Sequence, residues 1–162
     1  MSANSKLTTA VHALCWLELG RRRGAPWLTS ERIAASLASH PVAVRRCLGQ
    51  LRNAGLVQAA RGPGSGWSLT RPADQITVLD VHQAIGGEEL FALHPHEPNP
   101  ECPVGFGIRP VLRDVYQHLQ ERVTAELSRK TIAALLDDIL AVPDSPQLSP
   151  LALGLPVSTP PK

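Results

Sequence analysis

Aromatic residues are few in this 162-residue chain: three Trp, two Phe and one Tyr, with a single Met. A core has to be built from Leu, Val, Ile and Ala, and an apolar share of 43% is enough to fill one. Cysteine is sparse and odd in number, at positions 15, 47 and 102. That excludes a disulfide framework, and the lack of any CxxC pair removes the usual zinc pattern. No apolar run reaches the roughly 18 residues of a membrane span. Residues 1–6 lack the charged-then-apolar layout of a secretory signal, so the expected compartment is the cytoplasm. GxSxG, P-loop, HExxH and GxGxxG signatures are all missing, which argues against an enzyme.

Charge is present but unevenly placed. The overall +2 divides into +7 over residues 1–75 and −5 over the remainder. The first part holds ten basic residues (Lys6, Arg21, Arg22, Arg23, Arg32, Arg45, Arg46, Arg52, Arg61, Arg71) against Glu18, Glu31 and Asp74. A basic module joined to an acidic one suits a polyanion-binding head carried by a different partner module.

Apolar spacing predicts the elements. Leu7, Ala10, Val11, Leu14 and Leu17 share one face of a first helix over about 6–19. Thr29 or Ser30 can cap a second helix that buries Ile33, Ala34 and Leu37. Pro41 suits the first turn of a third helix over 41–54, with Val44, Cys47, Leu48 and Leu51 inward and Gly55 as its stop. Residues 56–60 and 67–69 then read as short strands around the tight loop RGPGSG at 61–66. Three short helices followed by a Gly-rich hairpin make a winged helix-turn-helix, whose second motif helix enters the DNA major groove.

Beyond it, TVLD at 77–80 is a capping box opening a fourth helix that ends at Gly86-Gly87. Residues 94–107 read as a loop. A long helix follows, with Ile108, Val111, Leu112, Val115, Leu119 and Val123 as its apolar positions, resuming as Ile132, Leu135, Leu136 and Ile139. At about 30 Å for some 20 residues it exceeds what the small head needs, and pairing with a twin is expected. Six of fifteen prolines fall in the last twenty residues, which read as a disordered tail. The fold class is thus mainly α. The expected layout is a DNA-binding domain (1–75), a linking helix and sensor loop (76–107), dimerisation helices (108–142) and the tail (143–162).

The stretch AGLVQAARGPGSGWSLTR at 54–71 resembles the Rrf2 family of bacterial repressors, whose signature there is AGLVxSxRGxxGGYxLxR. Ala54, Gly55, Leu56, Val57, Arg61, Gly62, Gly64, Gly66, Leu69 and Arg71 match, while Trp67 replaces the Tyr and Ser65 the middle Gly. The resemblance covers about residues 5–140, and PVAVRR (41–46) and NPECPVG (99–105) are similar to the YwnA-type branch. It implies homodimers that cross their long helices, palindromic operators, and a sensing loop just before that helix. Some members ligate an iron–sulfur cluster in this loop through three cysteines. Here the loop holds Cys102 alone, similar in position to the last of the three. No cofactor is therefore expected, since a cluster normally takes four protein ligands.

The candidate DNA contacts are Arg45 and Arg46 on the third helix and Arg61 on the wing, because arginine reads guanine edges bidentately and neutralises phosphate. His40, Val42, Ala43 and Gln50 share the groove face, Gly62, Gly64 and Ser65 the wing tip, and Ser30 lies at the start of the second helix, where a phosphate could bind. Trp67 is expected to pack the wing. Cys102 is the candidate sensor, close in sequence to Arg109, and Cys15 and Cys47 read as small core residues. His94, His96 and Cys102 match no standard metal spacing. The expected function is a sequence-specific regulator, a homodimeric repressor of unknown effector, with a thiol response through Cys102. The alternatives are a winged helix used only for protein interaction and a thiol enzyme built on Cys102.

Overall fold

The computed structural model describes residues 3–62, 65–87, 90–144 and 146. Six helices and one hairpin follow in the order α1 (Ala3–Arg22), α2 (Ser30–Ser36), α3 (Pro41–Asn53), β1 (Val57–Ala60), β2 (Gly66–Leu69), α4 (Val78–Ala84), α5 (Pro103–Arg129) and α6 (Ile132–Leu140). The expected tail falls mostly outside the described residues.

Leu14, Leu17, Leu28, Ile33, Val44, Leu48, Leu51 and Ile76 form a common core and are all but inaccessible to solvent. The turn from α2 to α3 is set by backbone bonds rather than by glycine. Ser39 N–H donates to the Ala34 carbonyl at 3.0 Å and Ala38 N–H to that of Ala35 at 3.3 Å, with Ala38 at φ 46°. The end of α3 repeats the motif with the residue suited to it. Gly55, at φ 74°, donates to Arg52, and Leu56 donates to Leu51 and is itself buried. The chain leaves α3 already aimed into β1, which pairs antiparallel with β2 in the register Val57↔Leu69 and Ala60↔Gly66. Leu28 adds a backbone bridge to Trp67, fastening the wing to the segment before α2. Trp67 is half-buried and packs on the core, as expected.

The capping box of α4 is present: Thr77 Oγ1 accepts from Asp80 N–H at 3.1 Å, and Asp80 Oδ2 accepts from Thr77 N–H at 2.8 Å.

Two expectations change. The long helix begins at Pro103, not near Ile108, so residues 103–107 belong to it and not to the loop. Proline at the first turn needs no N–H partner. Gly105, which looks like a loop residue, is there for close approach: a Cβ on it would lie 2.2 Å from the Asn99 carbonyl oxygen. The final helix also departs from the grouping with the dimerisation helices. Thr131 caps α6, and Ile132 and Leu136 are buried in the head's core, where α6 packs on α1. Residues 130–132 are sewn to 76–78 by backbone bonds from Val78 N–H to Lys130 and from Ile132 N–H to Ile76. The head therefore uses both ends of the described chain, with α5 as an excursion between them.

Candidate nucleic-acid interface

On α3, Val44, Cys47, Leu48 and Leu51 are buried, which turns Val42, Arg46, Gly49 and Asn53 outward and places Arg45 and Gln50 on the flanks. Arg45, Arg46 and Gln50 are exposed, Val42 is 53% exposed, and Ala43 is half-buried. Exposed Arg52 extends the basic surface into the last turn. Gly49, Asn53 and Arg52 were missed as candidates, although their spacing from Val42 and Arg46 was there to read.

His40 has a structural duty. It caps α3, with Nδ1 accepting from Val42 N–H at 3.2 Å, so its ring is tied to the helix start. Ser30 departs from the expectation of a phosphate contact. It is only 5% exposed and donates to Glu31 at 3.1 Å, while Thr29 supplies the cap of α2.

At the wing, Arg61 and Ser65 are exposed, and Ser65 N–H closes the turn onto the Gly62 carbonyl at 2.9 Å. Gly62 sits at φ 93°, where a side chain would strain the backbone. Gly64 lies outside the described residues. The basic count of the sequence is partly spent internally. Arg21 and Arg22 pair with buried Glu18, Arg71 with Asp80 at 3.2 Å, and Arg45 with Glu31 at 3.0 Å. What remains outward on α3 and the wing is Arg46, Arg52, Arg61 and the Glu31-held Arg45.

The long helix α5 has 27 residues and none of them is buried. Val104, Val111, Val115 and Leu119 fall on one stripe at successive spacings of seven, four and four, exposed by 70%, 62%, 46% and 39%. Ile108, Leu112 and Val123 are half-buried. A flank of the stripe carries Tyr116, stacked on Phe91 at 5.4 Å between ring centres, beside a groove of about 790 Å³.

Cys102 is exposed at the N-cap of α5, where the backbone N–H groups of Gly105 and then Val104 lower its thiol pKa. Arg109 is not directed to it but pairs with Glu97 at 3.0 Å. Cys15 and Cys47 are buried, as expected, and burial pushes each thiol up to about 11.

The fold and sequence resemble those of known proteins. Residues 3–138 match the Rrf2 family, described as an iron-dependent transcriptional regulator. The chain is 33% identical over 138 residues to YwnA of Bacillus subtilis, named as an HTH-type transcriptional regulator, covering 84% of this chain and 98% of that one. It is 30% identical over 148 residues to the HTH-type transcriptional regulator IscR of Serratia proteamaculans, covering 89% and 85%. Among solved structures, T. potens IscR superposes with a TM-score of 0.65 at 22% identity, over 91% of this chain and 92% of that one. The donor set does not fit the iron in the family's description. Two of the three thiols are core residues, and no group of three or more His, Cys, Asp or Glu among the described residues could hold a metal.

Proposed function

Because the chain belongs to the Rrf2 family of transcriptional regulators, we propose that it is a homodimeric repressor whose α3 and wing each read one half of a palindromic operator. One observation supports the reading: the turn at Ala38 and the cap at Gly55 fix α3 between α2 and β1 with an outward face on which Arg45 and Arg46 are exposed, as Arg61 is on the wing. In a helix-turn-helix, that surface is the one presented to the major groove. Arginine at the tip of a Gly-bearing wing suits a phosphate or a narrow minor groove.

The second copy covers the apolar stripe of α5. A helix about 40 Å long with no buried residue needs a partner for its valines, and a two-fold partner sets the spacing of the two heads. Val115→Glu is expected to give a monomer by sedimentation and to weaken operator binding. Duplexes enriched from a random library by the full chain supply the operator. Failure to enrich any sequence, at any salt, overturns the DNA reading.

The signal enters through Cys102 rather than through a cluster. An exposed thiol at a helix N-terminus holds more of its reactive thiolate form. With hydrogen peroxide the thiolate takes one oxygen to become the sulfenate, the O–O bond breaks and water leaves. Oxidant is expected to alter the wild-type gel shift and leave that of Cys102→Ser unchanged. The protein purified without oxygen is expected to be colourless, and a visible charge-transfer band overturns the cluster-free reading.

A further inference from the structure

We propose that Glu31 is a positioning residue that sharpens sequence discrimination by holding Arg45 in the reading geometry. The inference rests on the DNA-binding reading above and goes one residue deeper into the same site.

Glu31 is the only acidic residue between Glu18 and Asp74, a span that contains α2, α3 and the whole wing. It does not stand apart from the cations. Its Oε1 accepts from Arg45 Nη1 at 3.0 Å, across from α2 to α3, with the two side chains 59% and 50% exposed. The same oxygen accepts from the Ser30 hydroxyl at 3.1 Å, and Ser30 is buried. The carboxylate is thus anchored from below by a group that cannot swing outward. It stays ionised, its pKa lowered first by its own backbone N–H and then by Thr29, Ser30 and Arg45. No such carboxylate faces Arg46, Arg52 or Arg61 among the described residues.

Two consequences follow from the chemistry. An arginine fixed through one N–H keeps the rest of its guanidinium fork for bidentate acceptors, and has less side-chain freedom to lose on binding. A guanidinium half-neutralised by a carboxylate is also a poorer partner for any phosphate it happens to meet, which weakens non-specific binding. Both effects raise the ratio of specific to non-specific affinity.

The test uses the full chain, the duplex it enriches from a random library, and a scrambled duplex of equal length, titrated by fluorescence anisotropy across a salt series. Glu31→Gln is expected to bind the scrambled duplex about three- to tenfold more tightly, with a salt slope steeper by about one. The enriched duplex gains nothing, so the ratio falls by the same factor of about three to ten. Glu31→Asp, which keeps the charge on a shorter stem, is expected to restore part of the ratio, and it serves as the second variant if Glu31→Gln melts early. In an Arg45→Ala background, Glu31→Gln should leave the ratio unchanged. A ratio within twofold of wild type in Glu31→Gln overturns the proposal, as does an equal fall in the Arg45→Ala background. A wild-type chain that enriches no duplex overturns the DNA-binding reading and this proposal together, whereas enrichment with an unchanged ratio removes the role of Glu31 alone.

Discussion

Arg22 binds Glu18 within α1 through a 2.8 Å Nε–Oε1 hydrogen bond and passes the connection on to Asp137 of α6. Glu18 has a side chain only 2% exposed and is forked by Arg21 as well. The hydrogen bonds from Arg21 and Arg22 outweigh burial and hold the Glu18 carboxyl below its ordinary range. Arg22 thus fastens α1 to α6, while Arg21 braces Glu18 within α1. Removing the carboxylate leaves Arg21 without this partner and Arg22 with Asp137 alone, although both arginines can partly return to water. Glu18→Ala is expected to lower the unfolding free energy by about 2 kcal/mol in urea denaturation. The stability owed to Glu18 is present above its unfolded pKa of 4.5 and is lost as pH falls through the lower folded value.

His12 provides a second, separable pH dependence. Its Nε2 lies 2.8 Å from the Ser36 hydroxyl, joining α1 to α2, and burial lowers its pKa from 6.5. The unfolded chain therefore takes up the proton first. Stability is complete above pH 6.5 and declines as pH falls through that value, levelling off below the folded pKa. His12→Gln is expected to flatten this part of the stability curve between pH 7.5 and the carboxylate range. An unchanged slope in the variant would assign the dependence to another group.

These two residues mark what was legible in the sequence. Helix periodicity, the Thr77 capping box and the Gly55 stop are local rules, and the structure follows them. Pairing across the chain is not local: nothing in the spelling of ELGRRR tells which arginines face a buried carboxylate and which face solvent. The start of α5 was misread for a related reason. Gly105 and Gly107 weaken helix propensity, and the need for a glycine beneath the Asn99 carbonyl appears only once the loop is folded against it. On the interface, Arg45, Arg46 and Arg61 were legible as exposed cations, while the burial of Ser30 and the capping bond of the exposed His40 emerge only in the fold.

The turn between α2 and α3 carries a cost that substitution can relieve. Ala38 holds φ 46°, a conformation in which its methyl group crowds the backbone. Ala38 is exposed, so no packing is forfeited by removing that methyl. Ala38→Gly is expected to stabilise the protein by about 1 kcal/mol, read as a raised urea midpoint, because glycine adopts this geometry freely. Operator affinity should be unchanged, since the angle between α2 and α3 is already the one glycine would take. A destabilised variant would mean that the unfolded chain's added freedom outweighs the relieved strain.

Gly49 presents the opposite case. It lies mid-helix on the outward row Val42, Arg46, Gly49 and Asn53, and a Cβ placed there meets no atom within 4 Å. Nothing in the free protein requires glycine at this position, yet it costs an exposed helix about 1 kcal/mol relative to alanine. On the proposed reading, a close approach by the bound duplex would account for the missing side chain, because the backbone of α3 could then sit deeper in the groove. Gly49→Ala is accordingly expected to raise thermal stability while lowering operator affinity about tenfold in anisotropy titrations, a split that a purely structural glycine would not give. If stability rises and affinity holds, the α3 surface at Gly49 is clear of the DNA, and the reading face must then be centred on the Arg45 flank.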